Sequence, residues 1–427
     1  MKIYNIVFDN DVLLGSINLN FTNTSDGKPY SNVIFVGENG TGKTTILNLI
    51  YKFCAGPDKC DFYSKVDYEI DGSIYRFERF PKSKEILYNL HDYSHHGAYL
   101  LHGHYDDYPD YADPSRNHPI FSFSKNDGNV PQEQNFDSII ERLIKIQEED
   151  CINYTYYNIK HKDNPMPWTE FFETSKMKSF ANSFNQFFED MTYFGMGFDQ
   201  DKHKVIGFTK KGHEIKTSSL SSGEKQIIER AVPFLEKMND EKNNLCLIDE
   251  PEISLHPKWQ EKILSFYINL FSDADGHQNN QLIIASHSSA LLKEALARKD
   301  TLVIRLYEKD GSIEAKRISP IYLNRVTYAE VNFLVFGISS PEYHNQLYCQ
   351  IQNKFNVHSV KKCDSFIANH AYYNVCRHEK MSSFGKAKYK TICSYIRNSV
   401  DHYNNENDFT EEELVTSIKL MQDILRE

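Results

Sequence analysis

The chain has 427 residues, of which 40% are hydrophobic and 25% are charged, and this balance excludes a fibrous or intrinsically disordered protein. Its formal net charge of −11 argues against a protein that coats nucleic acid or an anionic membrane through bulk charge. No segment approaches the roughly 20 apolar residues that a membrane-spanning helix needs, so we expect a cytoplasmic protein.

Residues 1–80 predict the first lobe of an α/β domain. Alternating apolar and polar residues predict strands at KIYNIVF and GSINLNF, and the apolar run NVIFV predicts a buried strand. A glycine-rich loop and the helical pattern ILNLIYKF follow directly. A strand that leads through a loop into a helix is typical of α/β folds.

Residues 81–165 differ in composition from the first lobe. The segment HDYSHHGAYLLHGHYDDYPDYADPSRNHP is crowded with His, Tyr and Asp, and we expect an irregular insertion with few regular elements. A metal site is the alternative, since imidazole is a common ligand, but the irregular spacing favours an exposed loop. The histidines concerned are His91, His95, His96, His102 and His104.

Residues 166–320 predict a second lobe, and residues 321–427 predict a mainly helical C-terminal domain. Aromatic residues recur at helical spacing between Trp168 and Met191, which is typical of core packing. A hairpin (KVIGFTKKGHEI), a helix opened by LSSGEKQ and two buried strands (LCLIDE and LIIASH) follow. This alternation of strands and helices predicts a mostly parallel sheet.

A phosphate-binding loop is predicted directly after the strand NVIFV. The segment GENGTGKTT fits the pattern G-x-x-x-x-G-K-[ST] and lies between a buried strand and a helix, as that motif requires. Glycines allow backbone amides and the helix N-terminus to point at phosphates. Lys43 would neutralise the β- and γ-phosphates of a nucleotide, and the Thr44 hydroxyl would ligate Mg²⁺. The predicted nucleotide-binding residues here are Gly37, Glu38, Asn39, Gly40, Thr41, Gly42, Lys43, Thr44 and Thr45.

Two acids end the apolar run LCLI. They are Asp249 and Glu250, and ligands of open α/β sheets bind beyond the carboxyl ends of such strands. Asp249 would hold Mg²⁺ through water, and Glu250 would position or deprotonate an attacking water. The predicted metal ligands are therefore Thr44 and Asp249, and Glu250 is a predicted catalytic group.

Two further polar segments are candidates for the same predicted nucleotide site. The strand LIIA ends in Ser286-His287-Ser288, and LSSGEKQ opens a helix with a polar Ser-Gly corner that would form a second anion site. Its predicted ligand-binding residues are Ser221, Ser222, Gly223 and Glu224. Two phosphate-type sites in one chain suggest that one nucleotide is held between two chains.

The motifs GENGTGKTT, LSSGEKQ, LCLIDEPEISLHP and ASHS together resemble those of ABC-type ATPases, in the group that contains SMC-like repair ATPases and OLD-type defence ATPases. The resemblance implies an ABC-ATPase head with ATP and Mg²⁺ as cofactors. It also implies that Ser221 and Gly223 bind the γ-phosphate of an ATP that is held by Lys43 of a second copy.

The same resemblance implies a D-loop at residues 252–256 and makes His287 a catalytic switch histidine that senses the γ-phosphate. The Q-loop glutamine stays open between Gln132 and Gln134. Ser222 replaces the glycine of the commonest signature, a departure that SMC-like relatives share.

The C-terminal segments VNFLVFGISSPEYHNQLY and SYIRNSVDHYNNEN are similar to those of the PtuA family, the ATPase subunits of Septu anti-phage systems, which also occur beside some retrons. This resemblance implies a homodimer or larger homo-oligomer with ATP at the interface, and an HNH nuclease as partner. Nucleic acid, and a retron reverse transcriptase with its DNA, are further implied partners. The expected function is a regulatory subunit that hydrolyses ATP slowly and gates the nuclease.

Two other functions stay open. Arg397 and His402 have the R-x4-H spacing of HEPN-type RNases, so an ATPase-controlled toxin RNase is one alternative. A DNA-repair-type SMC-like ATPase is the other, although the roughly 175 residues between Lys43 and the signature exclude a long coiled-coil arm. The C-terminal third lacks the Asp-x-Asp pair of OLD-type nucleases, so we expect no two-metal cleavage by this chain.

Residues 351–400 form an extended basic region in which aromatic residues lie among the cations. This combination is expected of a surface that contacts phosphates. The alternative is that the aromatic residues are core and the lysines belong to a solvated face. Lys386, Lys388 and Lys390 are the residues that would distinguish the two.

Overall fold

The structure is a computed structural model, and the described residues divide into two compact units, Met1–Arg317 and Ile318–Glu427. The described residues are 1–11, 13–55, 65–70, 72–80, 84–89, 101–102, 120–122, 136–237, 244–272, 276–318, 321–384, 387–401 and 408–427.

A six-stranded sheet lies at the centre of the first unit. Its strands are β3 (Asn32–Val36), β8 (Ile120–Ser122), β12 (Leu245–Asp249), β13 (Gln281–Ala285), β14 (Thr301–Lys309) and β15 (Ser312–Arg317). The order is β15-β14-β3-β13-β12-β8, and every neighbouring pair is parallel except β14 with β15. Every residue of β3, β12 and β13 is buried, which explains their continuous apolar sequences.

A second six-stranded sheet is antiparallel and is formed by the N-terminal part of the chain. Its strands are β1 (Lys2–Asp11), β2 (Gly15–Asn20), β4 (Lys65–Ile70), β5 (Ser73–Phe80), β6 (Lys84–Asn89) and β7 (Leu101–His102), in the order β2-β1-β4-β5-β6-β7. Helix α1 (Lys43–Ala55) contributes Ile46, Leu47, Ile50 and Phe53 to an apolar cluster that also contains residues of both sheets. This shared core fixes the N-terminus of α1 at the edge of the central sheet.

The rest of the first unit is helical, with one small antiparallel sheet. The helices are α2 (Phe136–Lys160), α3 (Trp168–Glu173), α4 (Lys176–Phe187), α5 (Ser222–Lys237), α6 (Pro257–Gln260), α7 (Ile263–Leu270) and α8 (Ser289–Ala297). The small sheet has the order β11-β10-β9, with β9 (Met191–Phe198), β10 (Lys204–Lys210) and β11 (His213–Ile215). The phenylalanine stripe of α4 is core: Phe180, Phe184 and Phe187 are buried, as predicted.

Residues 81–165, expected to form an irregular insertion with few regular elements, contain several. Strands β6 and β7 extend the antiparallel sheet, and β8 pairs with β12 in the central sheet. Residues Phe136–Lys160 form α2, a helix of 25 residues. Its buried side chains recur three or four positions apart, including Ile139, Leu143 and Ile146, and this period is the ordinary signal of an amphipathic helix. The His- and Tyr-rich composition of the preceding residues obscures that signal.

The second unit is mainly helical. Its helices are α9 (Tyr328–Val331), α10 (Pro341–Lys354), α11 (Val360–Ala368), α12 (Val375–His378), α13 (Ile392–Asp401) and α14 (Glu411–Leu425), and one π-helical turn covers Asn332–Phe336. A two-stranded hairpin of β16 (Glu379–Phe384) and β17 (Ala387–Thr391) lies among them. A separate apolar core, which includes Tyr343, Leu347 and Ile418, holds these helices together.

The predicted fold class is confirmed. The described chain combines a mostly parallel sheet with flanking helices, a β-rich N-terminal part and a mainly helical C-terminal unit. None of the helices that the structure describes is both long and apolar enough to cross a lipid bilayer.

Candidate functional site

The glycine-rich loop runs from Gly37 to Gly42, between β3 and α1. Gly40 and Gly42 have φ angles of +83° and +86°, the left-handed conformation that favours glycine. A Cβ at Gly37 would lie 2.3 Å from the Leu306 carbonyl oxygen, and one at Gly42 would lie 2.5 Å from Leu14 Cδ2. The loop therefore needs glycine at these positions, either for its backbone shape or for lack of space.

The exposed tip of this loop is formed by Glu38, Asn39 and Gly40. The Thr41 hydroxyl donates to the Glu38 carbonyl oxygen at 2.8 Å, which closes the loop into a compact turn. Thr45 is half-buried in the first turn of α1. The exposed backbone of the tip is consistent with a site for a ligand that approaches from solvent.

Lys43 is the first residue of α1, and its ammonium folds back over the loop. Nζ donates to the carbonyl oxygens of Gly37 at 3.0 Å and Glu38 at 2.9 Å. Burial lowers the pKa of Lys43, and the carboxylates of Glu250 and Asp249 oppose that shift. An ammonium has three donors, so within the described chain one donor stays available for a phosphate oxygen.

Thr44 and Asp249 meet at the same edge of the central sheet. The Thr44 hydroxyl donates to Asp249 Oδ2 at 2.9 Å, although the two residues are 205 positions apart in the chain. Asp249 ends β12 and is only 3% exposed. A hydroxyl and a carboxylate are hard oxygen donors of the kind that Mg²⁺ prefers, so this pair fits the metal that the sequence predicted.

Glu250 follows Asp249 with an unusual backbone conformation. Its φ of +44° lies in the left-handed region, which is uncommon for any residue other than glycine and clusters at functional sites. Two hydrogen bonds hold it there: Glu250 N donates to the Ala285 carbonyl oxygen at 2.9 Å, and Arg230 Nη1 donates to the Glu250 carbonyl oxygen at 3.1 Å. Glu250 is therefore fixed between β13 and helix α5.

His287 faces Glu250 across the end of the sheet. Its Nε2 lies 3.5 Å from Glu250 Oε1. Burial is the main cause that lowers the pKa of His287, and the positive charge of Lys43 lowers it further, while Glu250 acts in the opposite direction. The imidazole is therefore biased towards its neutral form, in which Nε2 can donate or accept a single hydrogen bond.

Glu252 is a residue of this site for which sequence reasoning gave no role of its own. Its Oε1 accepts from the Ser286 hydroxyl at 2.8 Å and from His287 N at 2.6 Å. The side chain is 7% exposed, and burial raises its pKa. Glu252 thus holds the backbone of the residue that faces Glu250, and only the tertiary structure brings it there.

A second bridge ties the same two segments together. The Ser288 hydroxyl donates to Gln260 Oε1 at 2.8 Å, and Gln260 Nε2 donates to the Leu255 carbonyl oxygen at 3.1 Å. His256 Nδ1 accepts from Lys258 N and caps α6. The segment after Glu250 and the segment around His287 are therefore one hydrogen-bonded unit.

We expect Glu252→Ala to lower the turnover of ATP by about 10- to 100-fold, because a displaced His287 misaligns the reacting groups. Loss of the acceptor also leaves the Ser286 hydroxyl and the His287 amide unpaired, at a cost of about 1–3 kcal/mol in unfolding free energy. Steady-state kinetics and chemical denaturation measure the two effects, and the affinity for ATP should stay close to that of the wild type.

The conservative change Glu252→Gln keeps the accepting oxygen and should recover most of the turnover. Glu294 offers a matched control, since it is another partly buried carboxylate that accepts from a serine hydroxyl, that of Ser265. Glu294→Ala should lower stability without changing turnover. Equal turnover losses in Glu252→Ala and Glu294→Ala would show that the role of Glu252 is only structural.

The segment LSSGEKQ forms the N-terminus of α5. Ser221 N donates to Glu224 Oε2 at 2.8 Å, and Glu224 N donates to the Ser221 hydroxyl at 3.4 Å, which is a capping box. Lys210 Nζ donates to the other carboxylate oxygen of Glu224 at 2.6 Å. Both oxygens of Glu224 are thus engaged within the chain, and this residue supports the helix end from behind.

Ser221 and Ser222 remain exposed at this helix end. A Cβ at Gly223 would lie 2.7 Å from the Trp259 ring, so any larger residue there would push α5 away from α6. The helix end is therefore rigidly supported and exposes two serines, and the N-terminus of a helix is a position that suits a phosphate.

Several predicted residues lie outside the described part of the chain, namely Gln132, Gln134, His402, Lys386 and the histidines at 91, 95, 96 and 104. Arg397 is described: it pairs with Asp401 at 2.7 Å and donates to Asn398 Oδ1 at 2.9 Å. Both contacts are local to α13, so they indicate a helix-surface network.

The basic region divides into core and surface. Lys388 and Lys390 are exposed on β17, whereas Tyr389 between them is buried. Phe355 and Phe366 pack against each other with ring centroids 4.6 Å apart, beside the apolar core of the second unit. These aromatic residues therefore pack inward. Because the lysines are exposed, the docking of nucleic acid or of a nuclease on this basic region stays a prediction.

Over 113 residues the chain is 30% identical to the "Retron Vc95 probable ATPase" of Vibrio cholerae serotype O1 biovar El Tor, an alignment of 24% of this chain and 21% of that protein. The chain thus matches about a fifth of the length of this relative.

Solved structures with a similar arrangement include the SMC head domain from Thermotoga maritima, with 16% identity, 75% of this chain and 100% of that chain covered, and a TM-score of 0.40. The Smc head domain bound to the C-terminal domain of ScpA, derived from Pyrococcus furiosus, is similar with 12% identity, 74% of this chain and 96% of that chain covered, and a TM-score of 0.43.

The family described as "AAA domain, putative AbiEii toxin, Type IV TA system" matches residues 33–293. This range is more than half of the chain and contains the segments GENGTGKTT, LSSGEKQ, LCLIDEPEISLHP and ASHS. The chain belongs to this family of AAA ATPase domains.

Proposed function

We propose that the chain is an ATP-binding and ATP-hydrolysing regulatory subunit of an anti-phage defence complex, and that it gates an HNH nuclease. One observation carries the enzymatic part of this proposal: Thr44, Asp249, Glu250 and His287 come together at one edge of the central sheet. The likeness to a retron ATPase supports the defence context.

Each residue of the site has a distinct role in ATP hydrolysis. The loop amides and the Lys43 ammonium bind the phosphates, since phosphoryl transfer depends mainly on positioning and on stabilisation of charge. Glu250 orients the attacking water and accepts its proton, and the neutral His287, whose Nε2 lies 3.5 Å from Glu250 Oε1, would contact the γ-phosphate beside it. Mg²⁺ held by Thr44 and Asp249 would neutralise charge on the β- and γ-phosphates.

The exposed N-terminus of α5, here called the signature helix, supports a composite site. Ser221 caps α5, whereas Lys43 begins α1. Within the described chain, Lys43 Nζ donates to its own loop, and the Ser221 amide and hydroxyl join Ser221 to Glu224. A second copy could present its exposed helix end to the γ-phosphate, and the added anion contacts would favour an ATP-bound dimer over an ADP-bound one. We therefore propose at least a homodimer that ATP closes and hydrolysis opens.

The gating proposal is tested with the chain and an HNH protein encoded beside it. We expect the two to co-purify and to cleave supercoiled plasmid DNA or tRNA in a manner that depends on whether ATP or ADP is present. A complex with Lys43→Ala should lose this nucleotide dependence, by tenfold or more in rate, because the loop no longer holds the phosphates.

The HNH protein alone is the control. Equal cleavage by the HNH protein with and without the chain, under ATP and ADP alike, would refute gating. In that case a retron reverse transcriptase with its DNA, the other partner that the resemblance implies, becomes the next candidate for co-purification.

A further inference from the structure

A cavity of about 290 Å³ lies between α2, α3, α4 and β9, and no residue of the ATP site lines it. Aromatic rings line it: Trp168 and Phe172 have ring centroids 5.8 Å apart, and Phe194 on β9 also lines the cavity. Phe194 is 57% exposed although it is apolar. The volume is close to the lower end for small-ligand sites, which is room for one planar ring.

Amide and ammonium groups also line the cavity. They belong to Gln147, Asn182 and Lys178, and no acidic side chain is among the described residues that line it. Gln147 is 8% exposed and its Oε1 accepts from the Tyr193 hydroxyl, while the structure gives its Nε2 no partner among the described residues. An amide donor at a cavity wall without a protein partner can donate to a ligand that supplies an acceptor.

Asn182 adds a second amide; it is exposed, and none of the described residues forms a hydrogen bond with its side chain. Lys178 contributes a third donor group: it pairs with Glu173 at 2.6 Å and lies 5.8 Å from the centre of the Phe172 ring. These three side chains together offer more donors than acceptors to a ligand.

We infer that this cavity is a binding site for one unpaired nucleobase, which stacks on Trp168 and Phe172 and accepts hydrogen bonds from Gln147 and Asn182. A protein partner's aromatic side chain would stack equally well, but Phe has no acceptor and Tyr has only one, so it would leave the donor-rich wall unmatched. Because donors predominate, uracil, which has two carbonyl oxygens and no amino group, should bind more tightly than adenine, which carries an amino donor.

The inference goes beyond the ATPase function and can be tested separately from it. The chain has two tryptophans, Trp168 in the cavity and Trp259 packed against Phe188 beside the signature helix. With the phosphate-loop site kept occupied by ATP, we expect uridine to quench the indole emission of the full-length protein, and adenosine to do so at severalfold higher concentration. In Trp168→Phe the remaining emission should not respond to nucleosides.

Affinities for the nucleosides and for short single-stranded homopolymers, measured by calorimetry, separate a free base from a base in a strand. Removal of the stacking ring in Phe172→Leu should weaken both about tenfold. Asn182→Asp should weaken both by a similar factor, because it replaces the donor with a negative charge. Gln186→Glu makes the same charge change on the same helix, at an exposed residue that does not line the cavity, and should have little effect.

Salt dependence identifies the source of affinity. Among the described residues that line the cavity, Lys178 is the one cation, so the log–log salt slope for an oligonucleotide should not exceed about 0.7 in magnitude. A slope of several units that Phe172→Leu leaves unchanged would mean that strands bind elsewhere, and would overturn the inference. So would a preference for adenosine, or a response to N-acetyl-tyrosinamide with none to nucleosides, and in each case ATP hydrolysis would be unaffected.

Discussion

Glu250→Gln is expected to lower the rate of ATP hydrolysis by about 10²- to 10⁴-fold, the usual contribution of a positioned general base, while ATP stays bound. The amide keeps the size of the side chain but cannot accept a proton from water. The strained backbone at Glu250 is held by Ala285 and Arg230, so the substitution should leave the local fold intact. The measurement is single-turnover hydrolysis together with the amount of nucleotide retained after gel filtration.

Lys43→Ala is the matched comparison, because it acts on binding and not on proton transfer. It removes the ammonium that bridges Gly37 and Glu38, and calorimetry should show a loss of ATP affinity of tenfold or more. The pair of variants therefore separates binding from chemistry. If Lys43→Ala bound ATP as tightly as the wild type, or if Glu250→Gln hydrolysed it at the wild-type rate, the assignments of these residues would be wrong.

The elements that carry local sequence signals could be predicted from the sequence. The strands β3, β12 and β13 are continuous apolar runs because they are buried on both faces. The glycine loop is recognisable because Gly40 and Gly42 need a left-handed backbone that few other residues tolerate.

Long-range polar partnerships could not be predicted, because each depends on which elements the fold brings together. Glu252 bonds to Ser286 over 34 positions, and a buried Gln281 joins the two large sheets through Ile3, 278 positions away. A glutamate or glutamine in isolation carries no sign of its partner. In the sequence such residues look like ordinary solvent-exposed polar side chains until the positions of both elements are known.

The cavity beside β9 also could not be predicted from the sequence. The aromatic spacing of α4 correctly predicted core packing, but the same pattern did not separate the buried Phe184 from the cavity-lining Trp168 and Phe172. The cavity-lining rings lie near Gln147, which belongs to α2, a helix within the segment that was expected to be irregular. Because the sequence did not predict that helix, it could not predict the cavity.

A mixture of two inactive variants is expected to regain ATP hydrolysis if the active site is shared between chains. Lys43→Ala disables the phosphate loop and leaves the signature helix intact. Ser221→Arg blocks the exposed end of α5, where Ser221 caps the helix, and leaves the phosphate loop intact. Each variant alone should be nearly inactive, because every site in its homodimer lacks one half.

In the heterodimer, one of the two sites combines the intact loop of one chain with the intact signature of the other, and the second site carries both defects. Random pairing makes half of the dimers mixed, so the equimolar mixture should recover about a quarter of the wild-type rate if the sites act independently. Ser219→Arg, which places the same residue just before the helix on the short 3₁₀ turn Thr217–Ser219, controls for added charge and should stay largely active. Native mass spectrometry establishes that heterodimers have formed. If heterodimers form and the mixture still does not hydrolyse ATP, then neither chain completes the active site of the other. In that case the exposed N-terminus of α5 must bind a different ligand.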